Sequence, residues 1–256
     1  MAADYHSFVE KINNKLSIDL TLYKEAQMKR RLTSLRNKRG YQNFKTYYTE
    51  MNNNKELLDE FVDRITINVS EFYRNPKRWD VLRHQTIPHL IENKKHLRIW
   101  SAACSTGEEP YSLAILLNEH FPHITYEIIA TDLDLGVLDA AKQGVYQEKS
   151  LNDLPTNFKK KYFKQENNLY YIDPSLRKSI TFKQHNLLAD TYPKNIDLIV
   201  CRNVLIYFTD EAKNYIYNHF HSSLVDNGIL FVGSTEQIFN PESYGFSTFE
   251  TFFYKK

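Results

Sequence analysis

IWSAACSTGEEPYSLAILL, residues 99–117, decides the fold. An apolar, β-rich run, IWSAA, reaches a sharp turn at Gly107, and the helical run PYSLAILL follows. Strand, tight turn and helix open a doubly wound sheet, in which ligands sit beyond the carboxyl ends of the strands. The turn excludes the usual occupants. A dinucleotide site needs G-x-G-x-x-G so that the backbone can approach a pyrophosphate. A P-loop needs G-x-x-x-x-G-K-[ST]. This turn reads CSTGEE, with no lysine and with Glu108 and Glu109 where a phosphate would be repelled. Acids there attract an ammonium and accept hydrogen bonds from hydroxyls or amines. They also suit the positive end of a helix dipole with no ligand at all.

The next strand, YEIIATD, ends at Asp132, 25 positions beyond Gly107. An acid at that strand end suits the two hydroxyls of a ribose. A ribose and an amine without a phosphate describe S-adenosylmethionine, whose sulfonium adds a positive charge that aromatic faces hold. The expected crevice is therefore negative.

Further outward, DLGVLDAAKQG reads as a helix stopped by Gly144. ITFKQHN and IDLIVCRN read as strands, DEAKNYIYNHFHSSL as a helix, GILFVGS as a strand, and FSTFETFFYKK as a last antiparallel strand. Alternating strands and helices predict a parallel sheet wrapped by helices. Residues 145–179 break the alternation and read as a small insertion with a strand at LYYI. Residues 1–67 read as a helical domain, with Met28, Leu32 and Leu35 on one helix face and a stop at Gly40. Residues 68–93 are a linker and connecting helix, with Asn75 as N-cap, Pro76 as first helical residue and an end at about Asn93. Residues 94–256 form the α/β domain.

Composition narrows the class. At 256 residues and 42% hydrophobic, the chain can build a sizeable core. No apolar run approaches the roughly 20 residues of a membrane span, and MAADYHSFVEKI lacks the layout of a signal peptide. A cytoplasmic protein without membrane insertion is expected. Cys104 and Cys201 are too few for a disulfide framework and read as buried small residues. Without HExxH or ligand spacing, no metal is expected. Net charge is only +2, but residues 24–39 carry seven Lys or Arg against Glu25 alone. Such a run is a solvated face, a docking surface for an acidic partner, or a grip on nucleic acid.

Six blocks then stand in order: NVSEFYRN (68–75), SAACSTGEEPYS (101–112), ATDLD (130–134), HNLL (185–188), CRNVLIYF (201–208) and LFVGSTE (230–236). Together they resemble the chemotaxis receptor methyltransferases, the CheR family, of the type found in Gram-positive bacilli. The resemblance covers nearly the whole chain. It implies a class I S-adenosylmethionine-dependent methyltransferase with a Rossmann-like sheet, an N-terminal all-helical domain and an inserted small β-subdomain. It implies protein-glutamate O-methyl transfer to chemoreceptor cytoplasmic helices, giving glutamyl methyl esters and S-adenosylhomocysteine. Methyl-accepting chemotaxis receptors would be the partners, and nothing demands more than a monomer.

By motif, the resemblance places Asn68, Ser70 and Arg74 against the cofactor from the interdomain segment. Glu109 is the cofactor-binding acid and Asp132 the ribose acid. Asn186 and Leu187 lie on the adenine side, and Arg202 and Asn203 at the end of the fourth strand. Arg74 and Tyr207 come nearest the reacting atoms. Many members carry Thr at the position of Ser70, and the hydroxyl is kept. Lys24, Arg30, Arg31, Arg36 and Lys38 would dock the receptor. Some members tether a receptor C-terminal peptide through a glycine-bearing loop of the β-subdomain. KQENNLYYIDPSLRK has no glycine, so docking through the helical domain is expected instead.

The alternative is a nucleic-acid methyltransferase gripping through the basic helix. Adenine-N6 enzymes want [DNS]-P-P-[YFW], where this chain has CRNVLIY. A cysteine nucleophile wants Pro-Cys, where Val200 precedes Cys201. The histidines, His185 included, read as structural or surface residues.

Overall fold

The computed structural model describes residues 2–66 and 68–256. Met1 and Ile67, the ends of the expected helical domain, lie outside the described residues.

Helices α1 (Ala2–Leu16), α2 (Glu25–Lys38), α3 (Phe44–Asn53) and α4 (Lys55–Thr66) form the N-terminal unit. Helix α2 buries Met28, Leu32 and Leu35, as their spacing predicts, and the chain turns away through Gly40. Helix α3 starts on Asn43, whose side chain accepts from the Thr46 amide at 2.8 Å. Phe8, Phe44, Tyr47 and Phe61 pack ring on ring inside the unit. One continuous apolar cluster joins these rings to Trp100, Ile199, Phe220 and Leu230 of the second domain. The helical unit therefore shares its core with one face of the sheet.

The connecting segment corrects two expectations. Asn75 stands at the N-cap of α5 (Pro76–Val81), but in a left-handed backbone (φ 61°) and without a side-chain cap bond. The single helix to Asn93 is instead α5, a π-helical turn at Leu82–Thr86 and α6 (Ile87–Ile91). Pro88 has no N–H for the carbonyl four residues back, and the wider turn before it absorbs that mismatch.

Strand β1 (His96–Ala102), helix α7 (Glu108–His120), strand β2 (Thr125–Asp132) and helix α8 (Leu135–Gln143) follow. The insertion then builds its own three-stranded antiparallel sheet from β3 (Val145–Gln147), β4 (Phe163–Glu166) and β5 (Leu169–Ile172), with α9 (Thr156–Tyr162) beside it. Only β5 is legible as a strand in the sequence. Strands β4 and β5 are joined by Asn167 and Asn168, with φ of 47° and 65°. That is the two-residue turn that a twisted hairpin favours.

The main sheet resumes with β6 (Ile180–Gln184), β7 (Ile196–Cys201), α10 (Asp210–Ser223) and β8 (Leu224–Val232). The expected last strand is in fact two, β9 (Ser247–Glu250) and β10 (Phe253–Lys255), reversed at Thr251 and Phe252 (φ 74° at Phe252). Strand order is β6-β2-β1-β7-β8-β10-β9. The first five strands are parallel, and β10 runs antiparallel between β8 and β9. The chain winds from β1 out to β6 and returns to β7 on the other side of β1. The order reverses there, so the ends of β1 and β7 open a crevice.

Candidate active site

Three turns build the crevice. The first follows β1 and places Ala103, Ser105 and Gly107 in the left-handed region, with φ of 64°, 49° and 93°. A Cβ on Gly107 would lie 2.9 Å from Ala141 Cβ and 3.2 Å from the Tyr146 hydroxyl, so glycine is required. Left-handed non-glycine residues cost about 1–3 kcal/mol each and persist where the surroundings hold them. Here the Cys104 amide donates to Thr131 O at 2.8 Å and the Gly107 amide to Cys104 O at 3.1 Å.

The second turn follows β2. Asp132 ends the strand buried, its Oδ2 accepting from the Ser105 amide at 2.8 Å and its Oδ1 from the Asp134 amide at 3.1 Å. Burial raises its pKa to about 6, although both amides pull it down. The third turn follows β7 and carries Arg202, Asn203 (φ 62°) and the short 3-10 turn Leu205–Tyr207.

Glu108 and Glu109 part company. Glu109 faces the crevice, accepting from Ser101 Oγ at 2.8 Å, with Arg202 Nη1 3.6 Å from its other oxygen. Burial raises its pKa, and the Arg202 charge opposes that rise. Glu108 turns away, accepts from Thr106 Oγ1 at 2.7 Å, and lines a neighbouring depression with Lys149 and Ser150 that shares residues 68–71 with the crevice. Arg202 also donates to the carbonyl of Arg74 at 2.7 Å. The expected negative crevice also holds cations: Glu71, Glu109 and Asp132 line it together with Arg74 and Arg202.

The crevice has two lobes. Asn68, Ser70, Arg74, Glu109, Arg202 and Asn203 line the first. Tyr23, Leu133, Asn186, Leu187, Tyr207 and Phe208 line the second. Thr66, Ala103, Asp132 and Val204 belong to both, so Asp132 stands where the lobes meet. Buried polar groups normally find partners. Yet Ser105 Oγ and Arg202 Nε, both of residues lining the first lobe, are buried without one. That donor set fits a zwitterionic amino acid: the Arg202 guanidinium for a carboxylate, and Glu109 with hydroxyls for an ammonium. Asp132 fits a diol, and the largely apolar second lobe fits a flat base. S-adenosylmethionine carries these three parts in this order.

Other expected residues are placed with less freedom. The Asn68 amide nitrogen is committed to Asp63, Thr66 and Asp134 at 3.0–3.1 Å, bracing the interdomain segment against the end of α4 and the turn after β2. The Asn186 side chain donates to Ser17 O at 3.0 Å and accepts from the Leu188 amide at 2.9 Å, so it lines the second lobe while tying the domains together. Arg74 Nη1 donates to Val69 O at 3.2 Å. Arg74 and Tyr207 sit in different lobes, one on each side of Asp132. His185 is buried edge-on against Trp100 at 5.4 Å, and burial lowers its pKa.

The basic helix is divided. Lys24, Arg30 and Lys38 are exposed. Arg31, expected in line with Lys24 and Lys38, turns inward. Its guanidinium lies 5.4 Å from the Tyr207 ring centre and donates to Ile65 O at 3.4 Å. Arg36 lies over the Phe44 ring at 4.7 Å. Sequence reasoning missed Glu236, buried behind the third turn. LFVGSTE marks its place, but only an acid just past a core strand hints at a role.

A sheet of this order, with its acid at the waist of a crevice fit for a sulfonium nucleoside, defines a class I S-adenosylmethionine-dependent methyltransferase. More narrowly, the chain belongs to the CheR methyltransferases. Their SAM binding domain matches residues 68–253 and their all-alpha domain residues 3–66. The "Chemotaxis protein methyltransferase" of Listeria innocua is 48% identical over 254 residues, covering 99% of this chain and 97% of the relative. That of Listeria monocytogenes is 47% identical with the same coverage. The Borreliella burgdorferi protein of the same name is 35% identical, covering 89% and 85%. Among the described residues, no group of His, Cys, Asp and Glu is arranged to hold a metal, and no helix is long and apolar enough to cross a membrane.

Proposed function

We propose that this enzyme methylates glutamate side chains on the cytoplasmic helices of chemoreceptors, as a cytoplasmic protein that docks through its helical domain. The chemotaxis names of its relatives support the partner. The observation that carries the reading is Arg74 in the lobe of Glu109 and Arg202, with Asp132 separating it from the apolar lobe.

S-adenosylmethionine supplies an electrophilic methyl on a sulfonium. A glutamate is already ionised at neutral pH, with an ordinary pKa of about 4.3. The chain therefore needs no general base. Its residues must desolvate and align two charged partners, and alignment removes up to roughly 7–11 kcal/mol of barrier in favourable cases. The Arg74 guanidinium offers a fork that fits an incoming carboxylate. Its bond to Val69 O holds part of that fork, so it steers the acceptor without blunting it as a full bidentate pair would. The Tyr207 hydroxyl orients the acceptor from the other lobe. Exposed Lys24, Arg30 and Lys38 speed the encounter with acidic receptor helices more than they tighten the complex.

The test uses purified protein, methyl-labelled S-adenosylmethionine and receptor-bearing membranes. Base-labile label on the receptor is expected. Base-stable label, or label only on added RNA or DNA, would overturn the reading.

A further inference from the structure

The turn after β7 is held from the helical unit by the Lys24 amide, which donates to Tyr207 O at 2.9 Å, and from within the α/β domain by one carboxylate. Glu236 is 5% exposed. Its Oε2 accepts from the amides of Asn203 at 2.6 Å and Gly233 at 2.8 Å. Its Oε1 accepts from the amides of Leu205 at 2.6 Å and Ile206 at 3.3 Å. Converging amides of this kind form a nest for an anion, and here the anion belongs to the chain itself. The fit is close: a Cβ on Gly233 would lie 2.4 Å from Oε2 and 2.8 Å from the Asn203 nitrogen.

The bonded residues are the ones that matter to the crevice. Asn203 lines the first lobe in a left-handed backbone, and Tyr207, next after Ile206, lines the second. The turn's own bonds are few and long, Tyr207 N to Val204 O and Phe208 N to Leu205 O, each 3.2 Å. We propose that Glu236 is the positioning residue of the methyl-transfer site, holding residues 203–207 so that Asn203 and Tyr207 face the crevice, and acting through them without touching cofactor or acceptor. This rests on the role given above to Tyr207. A carboxylate is required because all the partners are donors. A glutamine would turn an NH₂ group toward backbone N–H groups, and an aspartate would fall about 1.5 Å short.

The test compares Glu236→Gln, Glu236→Asp and Gly233→Ala in the full chain, with Leu90→Ala as a control: Leu90 lies in α6, in the other apolar cluster, away from the Leu205 turn. Amide hydrogen exchange of Asn203, Leu205 and Ile206 reads the anchor directly, and receptor methylation reads its consequence. Exchange at these amides should rise about tenfold or more in the three anchor variants. Their kcat should fall about thirtyfold or more, with the receptor KM within about threefold of wild type. The control, matched for loss of Tm, should keep both near wild type. Should one anchor variant fail to fold, the others carry the comparison. Exchange already fast in the wild type, a kcat loss no larger than the control's, or a loss appearing only in KM would overturn the proposal. Wild type that labels no receptor defeats the receptor reading instead, while exchange still decides the anchor.

Discussion

Arg202 and Glu109 face each other in the first lobe, Nη1 to Oε2 3.6 Å, with side chains 4% and 11% exposed. Neither is free to act as a lone charge. The pair suits a zwitterion, because a ligand that brings both charges can share it without leaving either ion unmatched.

Removing one partner should therefore harm the fold and the site together. Breaking a buried pair from one side costs about 3–5 kcal/mol. Glu109→Gln is expected near the lower figure in urea unfolding, because Ser101 can still donate to the amide oxygen, and cofactor affinity should drop at least about tenfold. Unchanged affinity would mean that Glu109 serves only the fold.

Asp132 gives two pH effects of opposite sign. Its folded pKa of about 6 lies above the ordinary value of 3.8. Between these values the folded state binds more protons, so this group's contribution to stability falls as pH rises through the window. Without cofactor, the Tm of wild type relative to Asp132→Ala should improve from pH 7.5 to 5, where the burial penalty of the charge is relieved. Cofactor affinity should weaken over the same range as the ribose acceptor is protonated. Thermal scans and calorimetry at matched pH check both, and a parallel trend in the two would refute the assignment.

Arg30 and Arg31 are neighbours in different surroundings, the first exposed and the second over the Tyr207 ring. Arg30→Glu should raise the receptor KM several-fold, steepest at low salt, with little change in kcat. Arg31→Gln should lower kcat at a nearly constant receptor KM, because Arg31 braces the Tyr207 ring. Steady-state kinetics on receptor membranes separates these outcomes, and equal KM effects would return Arg31 to the docking surface.

Gly107→Ala meets both a left-handed backbone and the Ala141 methyl. A loss of about 1–3 kcal/mol in urea unfolding is expected, with weaker cofactor binding because Asp132 accepts from the Ser105 amide of that turn. A neutral substitution would show that the turn yields easily.

The Asn167–Asn168 turn leaves β4 and β5 no loop for a peptide. Receptors with and without a C-terminal peptide should be methylated at equal rates, and a marked preference for the former would contradict this.

Much of the fold was legible because its signals are local and strong. The run 99–117, Asp132 at a strand end and Gly144 after a helix each follow from period, turn chemistry or a cap. The pieces that escaped are short: β3, β4 and α9 are too brief for a period to emerge, and the π-helical turn before Pro88 is a response to packing. Asp132 was readable from its place in the chain. The separation of Glu108 from Glu109 was not, since consecutive helical residues point about 100° apart and only the packing of α7 decides which one faces the crevice. Arg31 and Glu236 escaped for a similar reason. Their partners, Tyr207 and the 203–206 amides, are distant in sequence or belong to the backbone, which carries no letter.

The most direct test is calorimetric titration of S-adenosylmethionine into the wild type and Asp132→Ala. With Asp132 as the ribose acceptor at the waist of the crevice, the variant should bind at least about tenfold more weakly, ~1.4 kcal/mol. An unchanged Kd in a folded variant would contradict the placement of the cofactor in this crevice.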